Sequence, residues 1–204
     1  KTINGIKTAE PVVVWRKKSQ GPMGNHIWAP ELHRIGGKWY IYFAAGSAEE
    51  KWKIRMYALS NPSKDPTKGV WTEEGQVKSN IDQFSLDATT FEHRGQRYMI
   101  WTDRAPAAKV NTSLFIAKMI NPTTLDSKQV VITTPEYQWE ERGHRVNEGP
   151  AVLIRNGKVL SLSRPAPPMP IIALGCCGPT RMPILPKLRR GINFPSRCFI
   201  PTSA

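Results

Sequence analysis

Cysteine is scarce in this chain. There are three in 204 residues, all after residue 160, which is too few for a disulfide framework. No apolar run approaches the roughly 18 residues that a membrane-spanning helix needs. The first ten residues, KTINGIKTAE, contain neither a starting Met nor the apolar stretch of a secretory leader. They read as a cut or processed end and assign no compartment. No G-x-G-x-x-G, phosphate-binding loop or G-x-S-x-G occurs, so nucleotide-cofactor and serine-hydrolase motifs are absent. Acids, Trp and Tyr are all missing from residues 161–204.

What is present falls into two parts. At 40% hydrophobic, the chain can bury a core. Residues 1–160 hold all seven Trp and all sixteen acids. Residues 161–204 hold nine of the eighteen Pro and six basic residues: Arg164, Arg181, Lys187, Arg189, Arg190 and Arg197. These six supply nearly half of the net charge of +13. Read plainly, the second part is a Pro-rich, basic, disordered extension. Its clustered cations also allow a nucleic-acid or membrane arm, because cations release counterions from phosphates, but no RNA-binding signature or basic helix accompanies them.

A third reading fits better. Pro165, Pro167, Pro168 and Pro170 directly follow the strand-like GKVLSLS, where a ladder should continue and proline cannot donate to one. Permitted codons for residues 166–183, read from the third base of each, allow ATDANYCLGLLWADADAD, which has the acids and aromatics that the tail lacks. The expectation is that residues after about Leu162 are out of frame. Codons in the gene that forbid this product would end the idea.

Three stretches of the first part share one shape: IWAPELHRIGGKWYIYFAAG (27–46), SLDATTFEHRGQRYMIWTDR (85–104) and VNEGPAVLIRNGKVLSLS (146–163). Each is a short strand-like run, a Gly-containing turn and a second alternating run, which is a hairpin signal. Their turn glycines Gly37, Gly95 and Gly157 lie 58 and 62 residues apart. Further strand candidates, KIRMYALS (53–60) and SLFIAKMI (113–120), follow the first two hairpins, and short ones stand near Val70–Trp71 and Val130–Thr133. VVVWR (12–16) reads as the last strand of a preceding unit. About four antiparallel strands at a near-constant period is the mark of a propeller blade, with a β-sandwich as the alternative. No stretch has a long helical period.

Asp87 lies eight residues before Gly95, and Glu148 nine before Gly157. Both stand at the start of the first strand of their unit. First strands line a propeller's channel, so equivalent ends converge on one funnel. Two carboxylates in one pocket suit glycoside hydrolysis, where an acid protonates the leaving oxygen while other carboxylates activate water or tune the acid. An acid at a strand start equally serves to cap a loop or meet a basic residue. The aligned position of the first unit is Ala29, beside Trp28, which reads either as an aromatic wall for a sugar face or as a core residue.

These stretches resemble glycoside hydrolase family 43, the five-bladed propeller arabinofuranosidases, arabinanases and xylosidases. IWAPELHRIGGKWYIYF is similar to that family's second-blade segment. SLDATTFEHRGQRYMIW is similar to the segment with the acid that tunes the general acid, and NEGPAVLIRNGKV to the segment with the general acid itself. The resemblance covers residues 1–162, is nearest to members acting on α-L-arabinofuranosides, and implies hydrolysis with inversion. It implies Glu148 as general acid, Asp87 as the residue that tunes and orients it, and Trp28 near the sugar subsite. Glu31 belongs to the same motif, but Pro30 turns the chain there and points to a structural role.

The implied fold is all-β: a partial five-bladed propeller over 1–162, roughly two full blades plus parts of two others, with an irregular tail over 163–204. The implied partner is an arabinose-containing oligosaccharide or polysaccharide, with no cofactor, metal, nucleic acid or membrane. The family's general base is an Asp in an Asp-Pro context on the first blade. Here Asp-Pro occurs only at Asp65-Pro66, in a loop between outer strands, so Asp65 is rejected as the base. The sequence therefore predicts a chain with little activity and poor solubility on its own. A non-catalytic propeller that binds a sugar or a protein is the alternative. His26, His33, His93 and His144 lack metal-ligand spacing, and Cys176-Cys177 is not C-x-x-C. Lys17-Lys18 reads as a solvated edge.

Overall fold

The computed structural model describes residues 3–104, 111–136, 140, 143–164 and 173–177. Among them the one helical element is a 3-10 turn, Ile3–Thr8. Among the described residues no helix is long and apolar enough to cross a membrane. Everything else regular is strand.

The first sheet runs β1 (Asn25–Ile35), β2 (Lys38–Gly46), β3 (Arg55–Asn61) and β4 (Thr72–Gln76), in that spatial order. The second runs β5 (Ser85–His93), β6 (Gln96–Asp103) and β7 (Ser113–Asn121). Against β7 lie both β8 (Thr124–Leu125) and β9 (Val130–Thr133). The third runs β10 (Glu148–Arg155), β11 (Lys158–Arg164) and β12 (Ala173–Cys177). Every ladder between these strands is antiparallel. The first strands are neighbours in space: β5 lies against β1 on one side and β10 on the other.

The three hairpins close by the same two-residue turn. Gly36-Gly37, Arg94-Gly95 and Asn156-Gly157 all have positive φ at both positions. That is the geometry whose twist matches a right-handed strand pair. A glycine second in each turn removes the steric cost there.

Alternation then builds the core. On β6, Met99 and Trp101 face the first sheet, packing with Tyr42, Met56 and Phe115. Ile100 between them faces the third sheet with Phe91, Leu114, Ile116 and Val159. The middle sheet is thus buried on both faces, as the period of two in strand side chains allows. The outer face of the first sheet carries Phe43, Tyr57 and Leu59 under Trp15 and Trp71.

Three expectations change. Val12–Arg16 forms no strand and enters no ladder among the described residues. Trp15 instead lies against Phe43, ring centroids 5.3 Å apart, and its Nε1 donates to Glu73 at 2.9 Å. The strand expected near Val70–Trp71 begins at Thr72, because Trp71 turns its indole to the carbonyl of Pro66 and packs under the sheet. The irregular tail expected from residue 163 does not hold throughout. β11 continues to Arg164, and Ala173–Cys177, a stretch without proline, pairs with the otherwise open edge of β11. The remaining tail, with Pro165, Pro167, Pro168, Pro170 and five of its six basic residues, lies outside the described residues.

Candidate active site

Each first strand is broken at the same place by a bulge. In β1, Ala29 and Pro30 stand opposite one residue, between the pairs Trp28↔Ala44 and Glu31↔Tyr42. In β5, Asp87 and Ala88 do so between Leu86↔Thr102 and Thr89↔Ile100. In β10, Gly149 and Pro150 do so between Glu148↔Arg164 and Ala151↔Leu162. The first bulged residue is left-handed in all three, with φ of 46° at Ala29, 53° at Asp87 and 57° at Gly149. A bulge of this kind re-aims side chains and recurs beside active sites. Asp tolerates the left-handed region better than most residues.

The bulges also refine the expected equivalence of the two acids. Asp87 matches Ala29 and Gly149, each eight residues before its turn glycine, while Glu148 matches Trp28 and Leu86, one residue earlier. The acids therefore hold adjacent slots of the same motif in neighbouring sheets.

The structure brings those slots together. The backbone amide of Gly149 donates to Asp87 Oδ2 at 2.9 Å. The Asp87 carboxylate thus anchors the residue immediately after Glu148, and both acids are half-buried. On its other side, Glu148 Oε1 accepts from the hydroxyl of Thr112 at 3.3 Å.

Trp28 belongs to the same end of the molecule. It packs with Leu86, the residue before Asp87, and with Ile54. Its ring also joins an aromatic group, with His26 at 4.6 Å and Trp52 at 6.2 Å between centroids; His26 and Trp52 are themselves 4.6 Å apart. Trp52 is 62% exposed, with Lys51 over its ring. Beyond Trp52 opens a hollow of about 580 Å³, lined among others by Arg55, Gln83, Phe84 and Arg104. This hollow borders the first two sheets, whereas Asp87 and Glu148 meet between the second and third.

A fully buried carboxylate stands at the same end of the middle sheet. Asp103 pairs in register with Ser85 and Ser113 and is 2% exposed. Burial pushes its carboxyl up to about 6, against hydrogen bonds from Trp101, Gln83 and the Arg104 amide and the nearby charge of Arg55. Asp65, rejected as a base, accepts from the amide and hydroxyl of Thr67 within its loop. Glu31 pairs with His33 Nε2 at 3.0 Å, and His33 Nδ1 shares a hydrogen bond with the hydroxyl of Thr90 at 3.3 Å, which fits a structural role for Glu31. Three of the four histidines, His26, His33 and His93, are strand residues. Among the described residues no group of three His, Cys, Asp or Glu is suited to hold a metal.

The sequence profile of the glycosyl hydrolases family 43 matches residues 1–162. The chain belongs to glycosyl hydrolase family 43. It is 54% identical over 159 residues to an extracellular exo-α-(1→5)-L-arabinofuranosidase of Streptomyces chartreusis, covering 78% of this chain and 48% of that protein. It is 45% identical over 159 residues to α-L-arabinofuranosidase 43 of Humicola insolens, covering 78% of this chain and 33% of the relative. The crystal structure of an α-L-arabinofuranosidase from Lactobacillus brevis superposes with a TM-score of 0.78 at 42% identity, over 86% of this chain and 57% of that one. The chain thus spans a third to about half of these curated relatives. Family 43 is a family of glycosidases, and the three meandering sheets ranged around their first strands fit its β-propeller.

Asp87, Glu148 and Trp28 stand out in the sequence by their distance from the turn glycines. Gly149, Thr112 and Trp52 were not singled out there. Gly149 was legible as the position equivalent to Asp87. Thr112 was not, because only the fold carries the start of β7 to the start of β10.

Proposed function

We propose that this chain carries the proton-donating part of an inverting α-L-arabinofuranosidase acting on arabinose-containing oligosaccharides or polysaccharides. Glu148 protonates the leaving glycosidic oxygen, Asp87 orients and tunes it, and Trp28 supplies an apolar wall for the sugar. The three sheets are then successive blades of a five-bladed ring. The observation that carries the reading is the 2.9 Å bond from the Gly149 amide to Asp87, which ties the two acid-bearing strands together. The arabinofuranosidase names of the relatives support the choice of sugar.

Water must be activated by a separate base in such a displacement. The other Asp residues are poor candidates. Asp65 is turned onto Thr67, Asp82 is paired with Arg55, Asp103 is buried against Trp101 and Arg104, and Asp126 accepts from the Lys128 amide. The base is accordingly assigned to a residue outside this stretch, and the chain alone is slow.

Turnover of 4-nitrophenyl α-L-arabinofuranoside by the full chain tests this, with and without sodium azide. Azide donates an electron pair to the anomeric carbon as the C–O bond breaks, and the Glu148 proton goes to the leaving oxygen. Azide is expected to speed wild-type turnover and give the β-L-arabinofuranosyl azide. Rates of roughly 1–10³ s⁻¹ without azide, the range of whole enzymes, would refute the missing base. Turnover of an alkyl α-L-arabinofuranoside that ignores Glu148→Gln, or none on any arabinofuranoside with azide present, would refute the function.

A further inference from the structure

The start of β7 is held against the chain leading into β10 by a short parallel contact. The Asn111 amide donates to the Arg145 carbonyl at 2.8 Å, the Asn147 amide donates to the Thr112 carbonyl at 3.2 Å, and Thr112 pairs with Val146. Thr112 is 3% exposed, so its hydroxyl has little access to water. It lies 3.3 Å from Glu148 Oε1. The threonine is therefore fixed by its own backbone, not merely near the acid, and belongs to the middle sheet while Glu148 belongs to the third.

We infer that Thr112 is a positioning residue for Glu148, its hydroxyl occupying Oε1 as a donor so that the acid's proton resides on Oε2. A carboxylic acid holds one proton on one of two oxygens. An oxygen that already accepts from a buried hydroxyl is the poorer place for it. The effect is to fix both the rotation of the carboxyl group and which oxygen donates. General acid catalysis needs that geometry before it needs a matched proton affinity. The inference rests on Glu148 being the proton donor proposed above.

The elements that border Glu148 carry other charged residues: Asp87 on β5, Asp103 at the end of β6, and His144 and Arg145 in the chain before β10. A change in the titration of Glu148 must therefore be traced to Thr112 by a conservative variant. Thr112→Val removes the hydroxyl with little change of shape, and Thr112→Ser retains it.

The full chain is labelled with carboxyl-13C glutamate, and the Glu148 resonance is assigned by its loss in Glu148→Gln. Thr112→Val is expected to move its titration midpoint to higher pH, since a donor that favours the charged form is gone. Thr112→Ser is expected to return it. An unmoved midpoint in Thr112→Val, or one that Thr112→Ser fails to restore, overturns the inference. Should Thr112→Val not fold, the wild-type chain in mixed H2O and D2O decides. A hydroxyl proton bonded to Oε1 splits the Glu148 carboxyl signal by its isotope, and an unsplit signal overturns the inference.

Turnover with azide separates this from the functional reading. Thr112→Val should slow methyl α-L-arabinofuranoside by about tenfold and spare the 2,4-dinitrophenyl glycoside, whose leaving group needs no proton. If Glu148→Gln shows that selectivity and Thr112→Val does not, Thr112 is not positioning the acid. If Glu148→Gln lacks it too, the proton-donor reading itself fails.

Discussion

Asp87 Oδ2 accepts the backbone amide of Gly149, 62 residues further along the chain and one residue after Glu148. The bond joins the bulge of one first strand to the bulge of the next. Asp87→Ala removes the acceptor and leaves an amide without its partner, a loss of about 1–3 kcal/mol. Chemical unfolding of wild type and Asp87→Ala by urea should register it as a lower midpoint, and equal midpoints would refute the bond. Asp87→Asn keeps an acceptor oxygen and a residue at ease in the left-handed region, so it should lose less stability while shifting the acidic limb of the azide-supported rate profile.

Gly149 carries the matching constraint. A Cβ added there would meet only Asp87 Oδ2, at 4.0 Å, so space is not the difficulty. The φ of 57° is, and Gly149→Ala should cost about 1–2 kcal/mol of left-handed strain. Urea unfolding measures this as well. A neutral Gly149→Ala would mean that the bulge relaxes to another conformation.

Loss of proton donation is read by Glu148→Gln. Turnover of alkyl arabinofuranosides with azide should fall by roughly 10²–10⁴, with activated aryl glycosides far less affected. A uniform fall across leaving groups would argue for a structural role.

Asp103 predicts a pH dependence of stability. Its carboxyl is raised to about 6 in the folded chain, from 3.8. Between those values the folded state holds a proton that the unfolded state has released, so stability should fall as pH rises from about 4 to 6. Glu73, lowered by hydrogen bonds from Lys18 and Trp15, and Asp82, lowered by its bond from Arg55, act oppositely: their contribution is lost as pH falls below the usual carboxylate range. The urea midpoint followed over pH 4–6.5 should therefore slope downward in wild type and less steeply in Asp103→Asn, whatever that variant's absolute stability. Parallel slopes would contradict the buried, protonated acid.

Trp28 is tested by sugar binding. Quenching of tryptophan fluorescence by an arabino-oligosaccharide should weaken several-fold in Trp28→Ala if its ring forms a wall of the site. Unchanged binding would return Trp28 to the role of a packing residue among Leu86, Ile54 and Ala44.

Hairpins were legible because turn chemistry is local. A two-residue turn with glycine second announces itself between alternating runs, and β1–β2, β5–β6 and β10–β11 fell where Gly37, Gly95 and Gly157 put them. Edge strands were less so. β4 carries the polar TEEGQ, and its place is set by pairing with β3 rather than by its own pattern. Val12–Arg16 has strand composition, yet composition supplies no partner. The acids were found by counting from the turns, but the bulge that brings Asp87 to Gly149 is a backbone event with no composition of its own. Thr112 needed the tertiary fold, since nothing in NTSLF marks one hydroxyl as destined for a carboxylate 36 residues on.

The kink shared by β1, β5 and β10 separates the frame from its cargo. One socket, repeated three times, is loaded with alanine in the first sheet, with an acid in the second and with glycine in the third. New chemistry at such a socket requires no rebuilding of the strand. The alanine-bearing copy, Ala29, is thus a vacancy beside an aromatic cluster, where an engineered carboxylate or amide would arrive already aimed.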